Sequence, residues 1–140
     1  MLRNIAGAII GIAVAVLTVM FVDWISHSLF PFPDGLEITD TEALNAHIGS
    51  LPLAAFLLVL AGNLIATFDG VLTACLIGRV KPFFYALLIG MLMIAATVSN
   101  LLMFQHPNWY AAAVLIGIVL SAWLAVTIAS RIRPMKGNGS

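Results

Sequence analysis

Two acids interrupt long apolar runs in this chain, and each carries possible chemistry. Asp69 stands alone as the only charge between Leu51 and Gly78. A carboxylate near the centre of a membrane costs about 3 kcal/mol on insertion scales, so Asp69 is expected to face other helices or water. A carboxyl in that place serves either as a hydrogen-bonding group between helices or as a site that takes up and releases a proton. Thr73 lies one helical turn further on and offers it a hydrogen-bond partner. The structural role is the first reading and a proton or substrate site the second.

Asp23 and His27 form the other candidate. Four residues apart on a helix, they stack on one face, and Asn100 falls at a similar depth in a later apolar run. Asp23, His27 and Asn100 would together line a polar vestibule at one side of a membrane. Imidazole and carboxylate are apt ligands for zinc or copper, and Asp23, His27 and His106 are the residues that would supply them. Their spacing matches no metal motif, so neither a metal nor another cofactor is expected. Ser26 and Ser28 are the nearest hydroxyl nucleophiles, but they point around the helix from the Asp-His pair. The chain has no Gly-rich phosphate loop, His-Glu-x-x-His motif, Gly-x-Ser-x-Gly elbow or Cys-x-x-Cys-His sequence, and it is not expected to be an enzyme.

These residues must be positioned by membrane helices. Of 140 residues, 62% are hydrophobic and only 9% charged, with a mean hydropathy of +1.11. Such a chain lacks the polar residues to cover a soluble globule, so lipid must solvate it. The pattern predicts one transmembrane domain, an all-α antiparallel four-helix bundle, over residues 1–140. Its spans are expected at about 4–30, 51–78, 82–104 and 109–130, with an outer loop at 31–50. Pro31, Pro33 and Gly35 stop the first span. Thr39 with Glu42 three residues on matches a capping box, so Asp40 to Ile48 should form a short surface helix closed by Gly49. The second span, 28 residues on this reading, would reach about 42 Å and must tilt or protrude. Pro82 suits the first turn of the third span, and Pro134 ends the fourth.

All six basic residues, Arg3, Arg79, Lys81, Arg131, Arg133 and Lys136, fall on one side of those spans. The Lys/Arg bias of short loops orients membrane helices, so both termini and the middle loop are expected in the cytoplasm. The first loop, with Asp34, Glu37, Asp40 and Glu42, faces outward. Aromatic residues fit as interfacial belts, Trp24, Phe30, Phe32, Trp109 and Tyr110 outside and Phe83, Phe84 and Tyr85 inside. The N-terminal apolar run is read as an uncleaved signal anchor. The lone cysteine, Cys75, excludes an internal disulfide and reads as inert packing.

Small residues supply the means of packing. Gly62, Ala66, Gly70, Ala74 and Gly78 recur at every fourth position of the second span, and Ala113, Gly117, Ser121, Ala125 and Ala129 do so in the fourth. Gly7, Gly11 and Ala15 add a third stripe. Such stripes let backbones approach until dispersion accumulates, within the chain in the first instance or against another subunit. Asn63 is expected to bond across to Asn100 or Ser121, and Trp123 to pack in the core or against lipid.

The run Val22-Asp23-Trp24-Ile25-Ser26-His27-Ser28-Leu29-Phe30-Pro31-Phe32-Pro33, followed by Asp34-Gly35-Leu36, resembles a group of small bacterial four-span membrane proteins of unknown function. Leu51-Pro52, Asn100 to Met103, His106-Pro107 and Trp109 extend the likeness. The resemblance implies the four-span fold and a bacterial inner membrane, and no activity. Asn63 and Asp69 depart from the second span usual in that group. The reading that follows is a non-enzymatic protein acting through helix contacts, as a homo-oligomer or a subunit of a larger membrane complex, with the bilayer and no nucleic acid as partner. The alternative is a proton-coupled or small-molecule transporter using Asp69, with Asp23, His27 and Asn100 as its outer vestibule.

Overall fold

The computed structural model of the chain describes residues 1–37 and 39–132. Arg133, Pro134, Lys136 and the tail to Ser140 lie outside them. The described residues form helices and no strand: α1 (Leu2–Leu29), α2 (Thr41–Ser50), α3 (Leu53–Ile77), α4 (Pro82–Met103) and α5 (Asn108–Ile132). All but α2 are long and apolar enough to cross a membrane. The chain breaks where its residues require it. Pro33 to Leu36 makes a turn closed by a 3.2 Å hydrogen bond from the Leu36 amide to the Pro33 carbonyl. Gly35 holds the left-handed φ of 84° that this turn needs and a side chain would resist. Pro52 and Gly78 are extended and cut α3 to 25 residues, about 37 Å, shorter than the 28-residue reading. Pro82 opens α4 as expected.

The short helix begins one residue later than the capping-box reading. Asp40, not Thr39, is its N-cap, accepting a 3.2 Å hydrogen bond from the Ala43 amide. Asp caps more strongly than Thr, and Glu42 then sits in the first turn, where an acid complements the helix dipole. Gly49 does not close the helix, which runs on through Ser50.

Helix α3 is the hub. It packs along α1 on one flank and α5 on the other, and α4 fills the space beside α5. The α1–α3 seam follows directly from the small residues: the buried positions of α1 are Gly7, Gly11 and Ala15. A Cβ on Gly11 would stand 2.6 Å from the Gly70 carbonyl oxygen, and one on Gly70 would stand 2.8 Å from the Ala15 Cβ. Only hydrogen fits at that crossing. The Leu64 side chain fills the space over Gly117 at the α3–α5 seam, and Val22 does so over Gly62. The stripe on α3 is buried throughout, as are Gly117, Ala125 and Ala129 on α5, whereas Ser121 is half-buried. These stripes are consumed inside the chain.

Opposite the hub the bundle is loose. α1 meets α4 only briefly and α5 not at all. At one end of the bundle α1 is nevertheless fastened. Arg3 Nε donates to the Ile77 carbonyl at 2.7 Å, capping an otherwise unpaired carbonyl near the end of α3. The Arg79 amide donates to Asn4 Oδ1 at 2.8 Å, and the Tyr85 hydroxyl donates to the Asn4 carbonyl at 3.2 Å. Tyr85 is thus fully buried, and Tyr110 is 4% exposed, so neither belongs to an aromatic belt. Each has a polar tip that finds a partner within the bundle, which lets the ring enter the core. Trp24 and Phe83, 66% and 70% exposed, do remain on the outside, as does Trp123.

Candidate functional site

The end of the bundle remote from Arg3 contains a cavity of about 420 Å³. Helix α1 brings Asp23, Ser26 and His27 to it, α2 brings His47, and α3 contributes Phe56. Asn100 of α4, His106 of the following turn and Tyr110 of α5 complete the polar lining. All three histidines, separated by up to 79 positions in sequence, therefore border one open cavity. Phe30, Phe32, Phe56 and Phe104 supply an aromatic wall. Asp23, His27 and Asn100, grouped by the sequence reading, all border this cavity.

Two imidazoles are oriented by the backbone. His27 Nδ1 lies 2.7 Å from the Asp23 carbonyl oxygen, and His106 Nδ1 lies 3.0 Å from that of Phe104. A carbonyl only accepts, so Nδ1 carries the proton in both rings, and the neutral ring keeps its Nε2 lone pair for another donor. His27 thus bonds to the backbone of Asp23 and leaves the carboxylate available. His106 stacks on Tyr110 with ring centroids 5.0 Å apart. Phe32 stands between the other two histidines, 4.8 Å from His27 and 5.3 Å from His47. That wedge keeps the rings from converging, and among the described residues no three His, Cys, Asp or Glu side chains could hold a metal ion. Asp23, His27 and His106 share a cavity without forming a chelate.

Ser26 lines the same wall, against the expectation that it points away. As sequence neighbours, Ser26 and His27 are about 100° apart around the helix, which is no arrangement for a nucleophile and its base. Ser28 spends its hydroxyl on the Trp24 carbonyl at 2.9 Å.

A second cavity of about 280 Å³ adjoins the first, and Asp23, Val59, Asn100 and Tyr110 line both. It occupies the loose seam between α1 and α4. Val16, Val19 and Met20 form one side and Met93, Ala96 and Thr97 the other. Asn63 lies at its base and is paired with Tyr110. Its amide nitrogen also donates to the Val59 carbonyl at 3.1 Å, rather than bridging to Asn100 or Ser121. A bond within its own helix satisfies it without drawing α4 closer.

Asp69 and Thr73 line neither cavity. Asp69 is half-buried and precedes Gly70, so it lies about 100° around α3 from the seam with α1. The hydrogen bond expected from Thr73 to Asp69 does not form among the described residues. The sequence candidates accordingly divide into an assembled group at one end and an isolated acid on the flank of α3.

Sequence reasoning missed Phe56 and Tyr110 as wall residues, and it put His47 on the short surface helix at the same side as His27 and His106 without bringing it to the cavity. The placement of His47 depends on α2 folding back over the bundle, where Asn45 Oδ1 accepts a 3.1 Å hydrogen bond from the Gln105 amide. No local pattern announces a bond across 60 positions. Comparison with known protein families, curated proteins and solved structures finds no match, so the functional reading rests on these residues.

Proposed function

We propose that the chain is a non-enzymatic small-molecule-binding protein of the membrane, with the vestibule of Asp23, His27, Asn100 and their neighbours as its working site. One observation carries this reading: polar side chains from α1, α2, α4, α5 and the α4–α5 turn converge on a single cavity with an apolar wall from α3, while the small-residue stripes are already used for internal packing. A ligand site is typically concave, largely apolar and furnished with a few convergent polar groups. In this proposal the setting is the bacterial inner membrane, with both termini cytoplasmic and α2 lying on the outer surface over the vestibule mouth. The one-sided distribution of Lys and Arg supports that orientation. Asp69 would then act separately from the binding site, as a proton site or as a contact to another chain.

The test is a thermal-shift screen of small solutes on purified protein in nanodiscs. A ligand that binds only the folded state raises the melting temperature. Asn100 lines both cavities, and N100W would fill them. Solutes that raise the melting point of the parent by several degrees should leave that of N100W unmoved. Equal shifts in both proteins, or no shift with any solute, would defeat the reading.

A second reading, helix-mediated assembly as a homo-oligomer or accessory subunit, is favoured by a different feature. Phe83, Leu87, Met91, Val119 and Trp123 line an apolar groove of about 320 Å³ along the outside of α4 and α5. Copurification of a stoichiometric partner, lost on W123A, would favour this reading.

A further inference from the structure

We infer that the vestibule takes an amphiphilic organic cation, an alkylammonium whose head lies at Asp23 and whose apolar arm lies in the slot between α1 and α4. The inference deepens the small-molecule reading and rests on it.

Charge selects the head group. The cavity wall has one carboxylate, Asp23, and no Lys or Arg; its only basic groups are the imidazoles of His27, His47 and His106. No Lys or Arg occurs anywhere between Arg3 and Arg79 or between Lys81 and Arg131. An anion entering this cavity would meet Asp23 with no permanent positive charge beside it, whereas a cation would meet the Asp23 carboxylate directly. The hydrogen-bonding inventory agrees. With Nδ1 of His27 and His106 committed to carbonyls, each ring presents an Nε2 acceptor, and Asn100 adds an amide oxygen. A primary ammonium has three donors and no acceptor, the complement of that set. Phe30, Phe32 and Phe56 also line the cavity, and a cation over an aromatic ring gains further stabilisation.

Shape selects the arm. The second cavity leads from Asp23 and Asn100 between Val16, Val19 and Met20 on one helix and Met93 and Ala96 on the other. These side chains are apolar, and the unbranched Met20 and Met93 can adapt to an alkyl chain. Asp23 and Asn100 border both spaces, which puts the polar head and the apolar arm on either side of the same pair.

The experiment uses three solutes with one tail, hexylammonium, 1-hexanol and hexanesulfonate, titrated calorimetrically into protein nanodiscs with empty nanodiscs subtracted. The expected result is saturable binding of hexylammonium at least tenfold tighter than that of the other two. D23N should remove that preference while binding of hexanol persists. N100D, with a second acid at the mouth, should increase the preference several-fold, and it tests the charge rule even if D23N folds poorly. Lengthening the tail from ethyl to octyl should tighten binding to the parent but not to A96W, which blocks the slot. If hexanol or hexanesulfonate binds as tightly as the cation, and N100W abolishes that binding, the cation is wrong and the vestibule stands. If none of the three binds, both the cation and the small-molecule reading fall.

Discussion

Asp23 borders two adjoining cavities that hold three imidazoles, the amides of Asn63 and Asn100 and a phenol, whereas Asp69 sits half-buried on the flank of α3 and lines neither. The same side chain therefore has two different prospects. Because Asp69 borders neither cavity, D69N should leave the solute affinities of the vestibule within about twofold, a difference below 0.5 kcal/mol by the usual conversion. Calorimetry on the variant checks this, and a larger loss would tie Asp69 to the site. Asp23 and His27 were legible in the sequence because a four-residue spacing fixes their common face. Asn100 was legible by depth alone. Tyr110 was not, since a tyrosine at a helix start reads equally well as an interfacial ring, and only the partner at Asn63 explains its burial.

The helices themselves were read from composition to within a few residues, because apolar runs and prolines act locally. Their neighbours were harder to read. The stripes of Gly7 and Gly11 on α1 and of Gly70 and Ala74 on α3 announced close seams, yet any stripe could have faced any other. The fold resolves this by closest approach: at the α1–α3 crossing a Cβ on Gly70 meets both Ala15 and the Gly11 carbonyl oxygen at 2.8 Å. G70L should consequently force the two helices apart and destabilise the bundle by about 1–3 kcal/mol, the usual range for overpacking. Its unfolding midpoint in mixed micelles should fall accordingly, while A61L, on an exposed position of the same helix, should leave it unchanged. Equal midpoints for G70L and the parent would contradict the seam. The start of α2 shows the limit of motif reading, since adjacent Thr39 and Asp40 both satisfy the rule and only the Ala43 amide chooses between them.

For the whole molecule, four spans fix a simple rule: the N-terminal end of α1 and the α3–α4 turn share one end of the bundle, as the hydrogen bonds of Arg3 and Asn4 require. The vestibule lies at the other. With Cys75 replaced by serine, single cysteines at Glu42 and Lys81 should respond oppositely to a membrane-impermeant maleimide applied to intact cells. E42C should label and K81C should not, if the positive residues face inward. The reverse pattern would turn the vestibule toward the cytoplasm.

Arg3, Asn4 and Tyr85 pin α1 at its first turn, and near its far end Asp23 borders a slot that α4 scarcely closes. Val22, beside Asp23, seats the same helix against Gly62 of α3, so the slot is sealed on its α3 side and unsealed toward α4. In a bilayer, acyl chains would border that unsealed side, so lateral lipid packing is expected to bear on the width of the aperture.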